Sequence, residues 1–255
     1  MKNNGLENEQ DIIKVLNGKT YDELPDFWKR RMKQLERNFP TDQKIECYKC
    51  VYNQKADIGI RMNNYRYNIS IKSGYFVSVH NERISSFTGF LRSLGVSDEL
   101  INVLKYYHYG DETLDGTGKV HYNLETIKSK MKDKIEEFNR CVNEPEILKH
   151  IIIRFLCAGT PFQKSYVTHI FFGTAEYGEM LDVKTIIGYI MSGYSINTDS
   201  IHFGPFIYTP AYRGLENFDA NNVRRYYINI KWPSINRDIR DAKEWLFSDK
   251  NKPEE

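Results

Sequence analysis

The chain has 255 residues, 40% of them hydrophobic and 14% aromatic, enough to bury a sizeable core as one large domain or two small ones. Lys and Arg number 36 against 34 for Asp and Glu, so a non-specific polycation is excluded, and any nucleic-acid contact must come from local basic patches. No run approaches the length of a membrane span and the N-terminus carries no signal-peptide core, so the expected localisation is cytoplasmic, with no membrane partner.

The first element is a helix over residues 5–17, with Gly18 just past its end. Glu9 shares a face with Ile12, Ile13 and Leu16, which puts a carboxylate on the buried stripe. Such a group requires a cation, a metal or hydrogen bonds. Glu7 points toward Asp11 and Lys14 on the solvent side. A second, charged helix is expected over Tyr21–Asn38, ending before Pro40. Alternation through Glu46–Tyr52 then predicts a strand; Cys47 and Cys50 have zinc-ligand spacing, but no second pair or nearby His pair completes four ligands.

Residues 55–72 predict a β-hairpin turning at Asn63-Asn64, since Asn tolerates the positive φ of a tight turn. Met62 then faces Tyr65, and counting back sets Asp57 opposite Ser70 with Lys72 one diagonal step away. Ala56, Ile58, Ile60, Met62, Tyr65, Tyr67, Ile69 and Ile71 form the core face. The polar face holds Asp57, Gly59, Arg61, Arg66, Asn68, Ser70 and Lys72. Arg61 opposite Arg66 is a like-charge pair that needs an anion between them, and a phosphate would serve.

An acid on one strand, a residue-x-lysine pair on the next, and a preceding helix bearing Glu resemble the PD-(D/E)xK nuclease superfamily, which includes many type II restriction endonucleases and junction resolvases. The resemblance covers roughly the first third of the chain. It implies that Asp57 and the helix glutamate (Glu9, with Glu7 in reserve) bind Mg²⁺, with Mn²⁺ able to substitute, together with the carbonyl of Ile71. Lys72 matches the family's lysine, which would orient or deprotonate the attacking water or stabilise the pentavalent phosphate by charge. Ser70 stands where the second acid belongs, so the second hard ligand falls to Glu9 or Glu82, or the site holds one metal loosely, or it is inactive. The metal would activate water and neutralise charge on the attacked phosphate.

Beyond Lys72 a strand over Tyr75–His80 leads to an amphipathic helix over Ile84–Leu94, with Phe87, Phe90, Leu91 and Leu94 on its buried stripe. His80 and Glu82 follow the lysine strand closely and are outer-shell candidates. Ser97 starts a helix to Tyr107, and Gly110–Lys119 is a turn-rich connector. Its Gly-Thr-Gly-Lys ending lacks the rest of a Walker sequence, so no nucleoside triphosphate is expected as a partner. Helices follow over Leu124–Val142 and Pro145–Ala158.

The last third returns to strands over Val167–Phe172, Ser200–Tyr208 and Arg224–Trp232, with a helix near Asp182–Met191. In the final strand Tyr226, Ile228, Ile230 and Trp232 face inward, while Arg225, Tyr227, Asn229 and Lys231 face outward. Basic, amide and aromatic groups on one strand face suit phosphate and base-edge contact. With Arg213, Arg237 and Arg240 nearby, and Arg61 and Arg66 on the hairpin, these form the candidate DNA-binding set.

The expected fold is α/β and restriction-endonuclease-like, a mixed central β-sheet flanked by helices with a C-terminal β-rich region. Residues 1–95 would be the nuclease core, 96–160 a helical segment and 161–255 the DNA-recognition region, together one compact unit. The expected function is metal-dependent hydrolysis of double-stranded DNA as a restriction or phage-defence endonuclease, acting as a homodimer with one site for each strand. A structure-specific resolvase or repair nuclease, and an inactive DNA-binding module, are the alternatives.

Overall fold

A computed structural model describes residues 4–35, 41–51, 54–62, 64–75, 77–161, 166–194, 196, 198–212 and 222–248. Helix α1 (Asn4–Leu16) ends before Gly18, whose φ of 77° lies in the left-handed region open to glycine. Helix α2 (Asp26–Leu35) begins five residues later than the sequence pattern indicates. Pro25 supplies no N–H for a helix interior, and Thr20–Leu24 forms a turn in which Glu23 accepts the Thr20 amide at 2.8 Å.

The order then runs β1 (Glu46–Lys49), β2 (Ile58–Met62), β3 (Tyr65–Lys72), β4 (Val77–Arg83), α3 (Ile84–Ser93), α4 (Asp98–Tyr109), α5 (Leu124–Val142) and α6 (Pro145–Ile153). A π-helical turn over Arg154–Ala158 follows, then β5 (His169–Gly173), β6 (Gly178–Asp182), α7 (Val183–Met191), β7 (His202–Phe203), β8 (Phe206–Pro210), β9 (Tyr227–Trp232) and α8 (Ile235–Phe247). None of the helices among the described residues is long and apolar enough to cross a membrane.

Four further features depart from the sequence pattern. The run over Ser200–Tyr208 is a hairpin rather than one strand, because Gly204 (φ 54°) and Pro205 turn the chain between β7 and β8. Strand β6 and helix α8 are additions: β6 has only five residues with charged or glycine ends, and α8 shows its apolar residues as isolated positions Ile235, Ile239 and Ala242 among charges. The last strand starts at Tyr227, after a 3₁₀ turn over Val223–Tyr226.

The chain divides into two compact units that interleave along the sequence. The first comprises Met1–Val77, Leu156–Ser192 and Ser234–Glu255, and so draws on the N-terminal, middle and C-terminal thirds. Its five-stranded sheet has the order β1-β2-β3-β5-β6, with β3 and β5 parallel and the other pairs antiparallel, a mixed sheet. Met62 faces Tyr65 and Ile58 faces Ile69, the register set by counting from the hairpin turn; Asn63 lies outside the described residues. Ile12, Leu16, Trp28 and Met32 of α1 and α2 pack on Ile58, Ile60, Ile69, Ile71 and Phe171. Burial of these apolar faces is the main force holding the unit together. Tyr65, expected on this face, is exposed at the far end of the hairpin.

The second unit comprises Ser78–Phe155 and Gly193–Pro233. Its four-stranded sheet has the order β4-β9-β8-β7. Phe87, Phe155, Phe203, Phe206 and Trp232 meet edge-to-face or tilted in its core. Beside them lies a buried ionic cluster. Arg154 donates to both oxygens of Glu82 at 2.8 and 2.6 Å, Ser86 donates at 2.7 Å, and His80 Nε2 sits 2.8 Å from Glu82 Oε1.

Burial alone would raise the Glu82 carboxyl, but the hydrogen bonds and charges of Arg154 and His80 outweigh it and hold the group at about 2. The carboxylate therefore stabilises the fold fully above its ordinary value of 4.5, and this contribution is lost as pH falls from there toward about 2. Glu82→Gln, which leaves the Arg154 charge buried without its partner, is expected to cost about 3–5 kcal/mol at pH 7 in denaturant unfolding. The difference from the parent protein should shrink as the pH is lowered through that window.

Candidate active site

Asp57 lies one residue before β2, so its side chain is placed by the hairpin register rather than by a free loop. The Asp57 amide donates to the Ile69 carbonyl at 2.9 Å, which continues the β2–β3 ladder past the end of the strand. Three consecutive residues of β3 then converge on one carboxylate oxygen. Asp57 Oδ2 accepts from Ser70 Oγ at 3.0 Å, from the Ile71 amide at 2.6 Å and from Lys72 Nζ at 3.1 Å. Lys72 Nζ also donates to the Ile71 carbonyl at 3.0 Å. The hairpin thus brings Asp57, Ser70, Ile71 and Lys72 together.

Glu9 is the carboxylate on the inner side of α1, and its charge is matched by Lys49 of β1 at 3.3 Å. A carboxylate on this stripe requires a cation, a metal or hydrogen bonds, and Lys49 supplies a cation. Cys50, just beyond β1, donates its amide to the Asp57 carbonyl at 3.0 Å. Burial pushes the Cys50 thiol up, Arg66 pulls it down, and the charges of Asp57 and Glu9 raise it further. Both carboxylates therefore act on the same thiol. Cys47, expected on the strand, is buried in the core and pushed up to about 12 by burial and by Cys50.

Glu7 is exposed and lines a cleft of about 690 Å³ with Asn8, Asp11, Ser73, Gly74, Thr174, Glu176 and Tyr177. The cleft opens one residue past Lys72. Asn8 Nδ2 donates to the Gly173 carbonyl at 2.8 Å and ties α1 to the β5–β6 turn that forms its wall. His80 and Glu82 belong to the second unit, where the ionic cluster with Arg154 uses them.

The basic residues separate into different environments. Arg61 does face Arg66, but Glu46 on the neighbouring strand binds Arg61 at 3.1 Å, so the anion that the pair needs is supplied by the protein. Arg66 bonds Asn68 at 3.2 Å and has no carboxylate partner among the described residues. Arg225 is buried, not outward: the 3₁₀ turn before β9 reverses the alternation, Arg225 bonds the Gly116 carbonyl, and Tyr226 is exposed instead. Tyr227, Asn229 and Lys231 do alternate with the buried Ile228, Ile230 and Trp232. Arg83 lies over the Tyr227 ring, and Ser78 donates to Asn229. Arg213 is outside the described residues.

Gly59 clears space for Tyr48. The two are cross-strand partners, and a Cβ on Gly59 would lie 2.5 Å from Tyr48 Cζ. The sequence pattern does not show this contact, because eight residues separate β1 from β2 and no short turn sets their register.

No group of three or more His, Cys, Asp or Glu side chains among the described residues is arranged to hold a metal ion. The donors that do fit a hard cation are oxygens. Asp57 Oδ1 receives no hydrogen bond among the described residues, and the Ile71 carbonyl and the Glu9 carboxylate are currently matched by ammonium groups.

No family model matches the chain, and no curated protein matches it. Among solved structures it is similar to the restriction endonuclease MspI in a crystal structure with its cognate DNA. The identity is 15%, the TM-score 0.48, and the match covers 88% of this chain and 87% of that chain.

Because Asp57 Oδ2 satisfies a backbone amide and an ammonium at once, Asp57→Ala is expected to destabilise the fold by about 2 kcal/mol in urea unfolding. An unchanged or increased stability would show that the three donors have no net value.

Proposed function

We propose that the protein is a metal-dependent endodeoxyribonuclease, with its centre at Asp57, Ser70, Ile71 and Lys72 and with Glu9 as the second acid. The observation that carries this reading is the convergence of a carboxylate and a main-chain carbonyl within 3.0 to 3.1 Å of a lysine ammonium. Asp57, the Ile71 carbonyl and Glu9 would hold Mg²⁺ or Mn²⁺, since hard oxygen donors suit these ions. The ion, when bound, supplies Lewis-acid polarisation of the phosphate and a lowered pKa for a coordinated water.

The chain's own residues do the remaining work. Lys72 is held on the Asp57 carboxylate, where its positive charge can orient a nucleophilic water or neutralise the phosphoryl oxygens as charge develops. Ser70 donates its hydrogen to Asp57 and thereby fixes which carboxylate oxygen faces the strand. With a hydroxyl at position 70 and both Glu82 oxygens taken up by Arg154, His80 and Ser86, Glu9 is the remaining candidate acid. On the second unit, Tyr227, Asn229 and Lys231 are the proposed contacts to duplex DNA. A homodimer would present one site to each strand.

The hydroxyl at position 70 favours a second reading, a DNA-binding module without hydrolytic activity, because serine is a weaker metal ligand than a carboxylate. Incubation with unmethylated phage and plasmid DNA, with Mg²⁺, with Mn²⁺ and with chelator, separates the two. Discrete metal-dependent fragments, lost about 10²- to 10³-fold in Asp57→Ala and Lys72→Ala, are expected. Intact DNA in every lane with binding retained would favour the inactive module. Preferential cutting of a four-way junction would make the enzyme a resolvase.

A further inference from the structure

The polar face of the first unit's sheet is laid out in rows. One row continues the ladder through Cys50, Asp57 and Ser70; the next contains Tyr48, Gly59 and Asn68. The rows are two residues apart along the strands, about 6.7 Å. That step is close to the separation of successive phosphates on an extended nucleic-acid strand.

The second row has unused binding capacity. The Tyr48 ring crosses Gly59, the position where a side chain would block it, and its hydroxyl lies 2.7 Å from where that Cβ would stand. The hydroxyl is buried and has no hydrogen-bond partner among the described residues. Buried tyrosine hydroxyls ordinarily find one. Arg66 lies over the same ring, 5.8 Å from its centroid, and its guanidinium has no carboxylate partner among the described residues. Its neighbour Arg61, by contrast, is matched by Glu46.

We infer that Tyr48 and Arg66 form a second phosphate subsite, which receives the backbone phosphate next to the one attacked beside Asp57. This inference rests on the nuclease reading. A phosphate there accepts from the Tyr48 hydroxyl and pairs with Arg66. Gly59 is required because a side chain there would collide with the Tyr48 ring and hydroxyl.

Affinity for labelled duplex fragments of phage DNA, measured by anisotropy in chelator at low salt, tests the subsite without cleavage. Tyr48→Phe is expected to weaken binding about fivefold while leaving the salt dependence and the folding stability unchanged or the latter slightly raised. Arg66→Gln is expected to weaken binding and reduce the log–log salt slope by about one. With Mg²⁺, Tyr48→Phe should raise KM and leave kcat in place. If wild-type protein binds and both variants bind equally well, the subsite is wrong while the nuclease reading stands. Loss of stability in Tyr48→Phe would reveal a structural partner and also overturn it. If wild-type protein binds no nucleic acid, the nuclease reading and the subsite fall together.

Discussion

The Asp57 carboxylate is the point on which the hairpin depends. One of its oxygens receives a hydroxyl, a main-chain amide and an ammonium from three successive residues of β3. The Ile71 amide can donate to it because it lies past Ile58–Ile69, the last regular β2–β3 pair at that end. The register that permits it is fixed by the apolar face below. A slip by one residue would move Ile58, Ile60 and Ile69 into solvent and carry Asp57 and Lys72 into the core.

Charge compensation is a second organising feature of this unit. Glu9 is matched by Lys49, Arg61 by Glu46, and Asp57 by Lys72. Exposed pairs such as Arg61–Glu46 contribute little stability, but they decide which cations remain available to an anionic ligand. Arg66 stands apart from these pairs, over Tyr48 and beside Asn68.

The second unit solves its own electrostatic problem differently. Glu82, Arg154, His80 and Ser86 bury their polar groups together against phenylalanines, with every Glu82 oxygen occupied. A network of this kind is stabilising only while it is complete, because each member is desolvated. It also explains why His80 and Glu82, which follow the lysine strand so closely in sequence, are bound up in structural contacts of their own unit.

What the sequence determined by itself were the local features. Two alternating runs around Asn63-Asn64 dictated the hairpin and its register, and hence the meeting of Asp57, Ser70 and Lys72. Helical periods marked α1 and α3 to α6, with Ser97 capping α4 as its position indicated. These are consequences of side-chain period and turn chemistry within a few residues of each other. Tertiary structure decided the rest. Lys49 reaches Glu9, Glu46 reaches Arg61, and Tyr48 crosses Gly59 through the β1–β2 pairing. The 3₁₀ turn that buries Arg225 depends on contacts with Gly116 and Asp111, more than a hundred residues earlier. Strand β5 joins β3 in parallel after an excursion through the second unit. Pairings separated by long stretches of chain leave no periodic trace, because no short turn sets their register and only the packed core selects one.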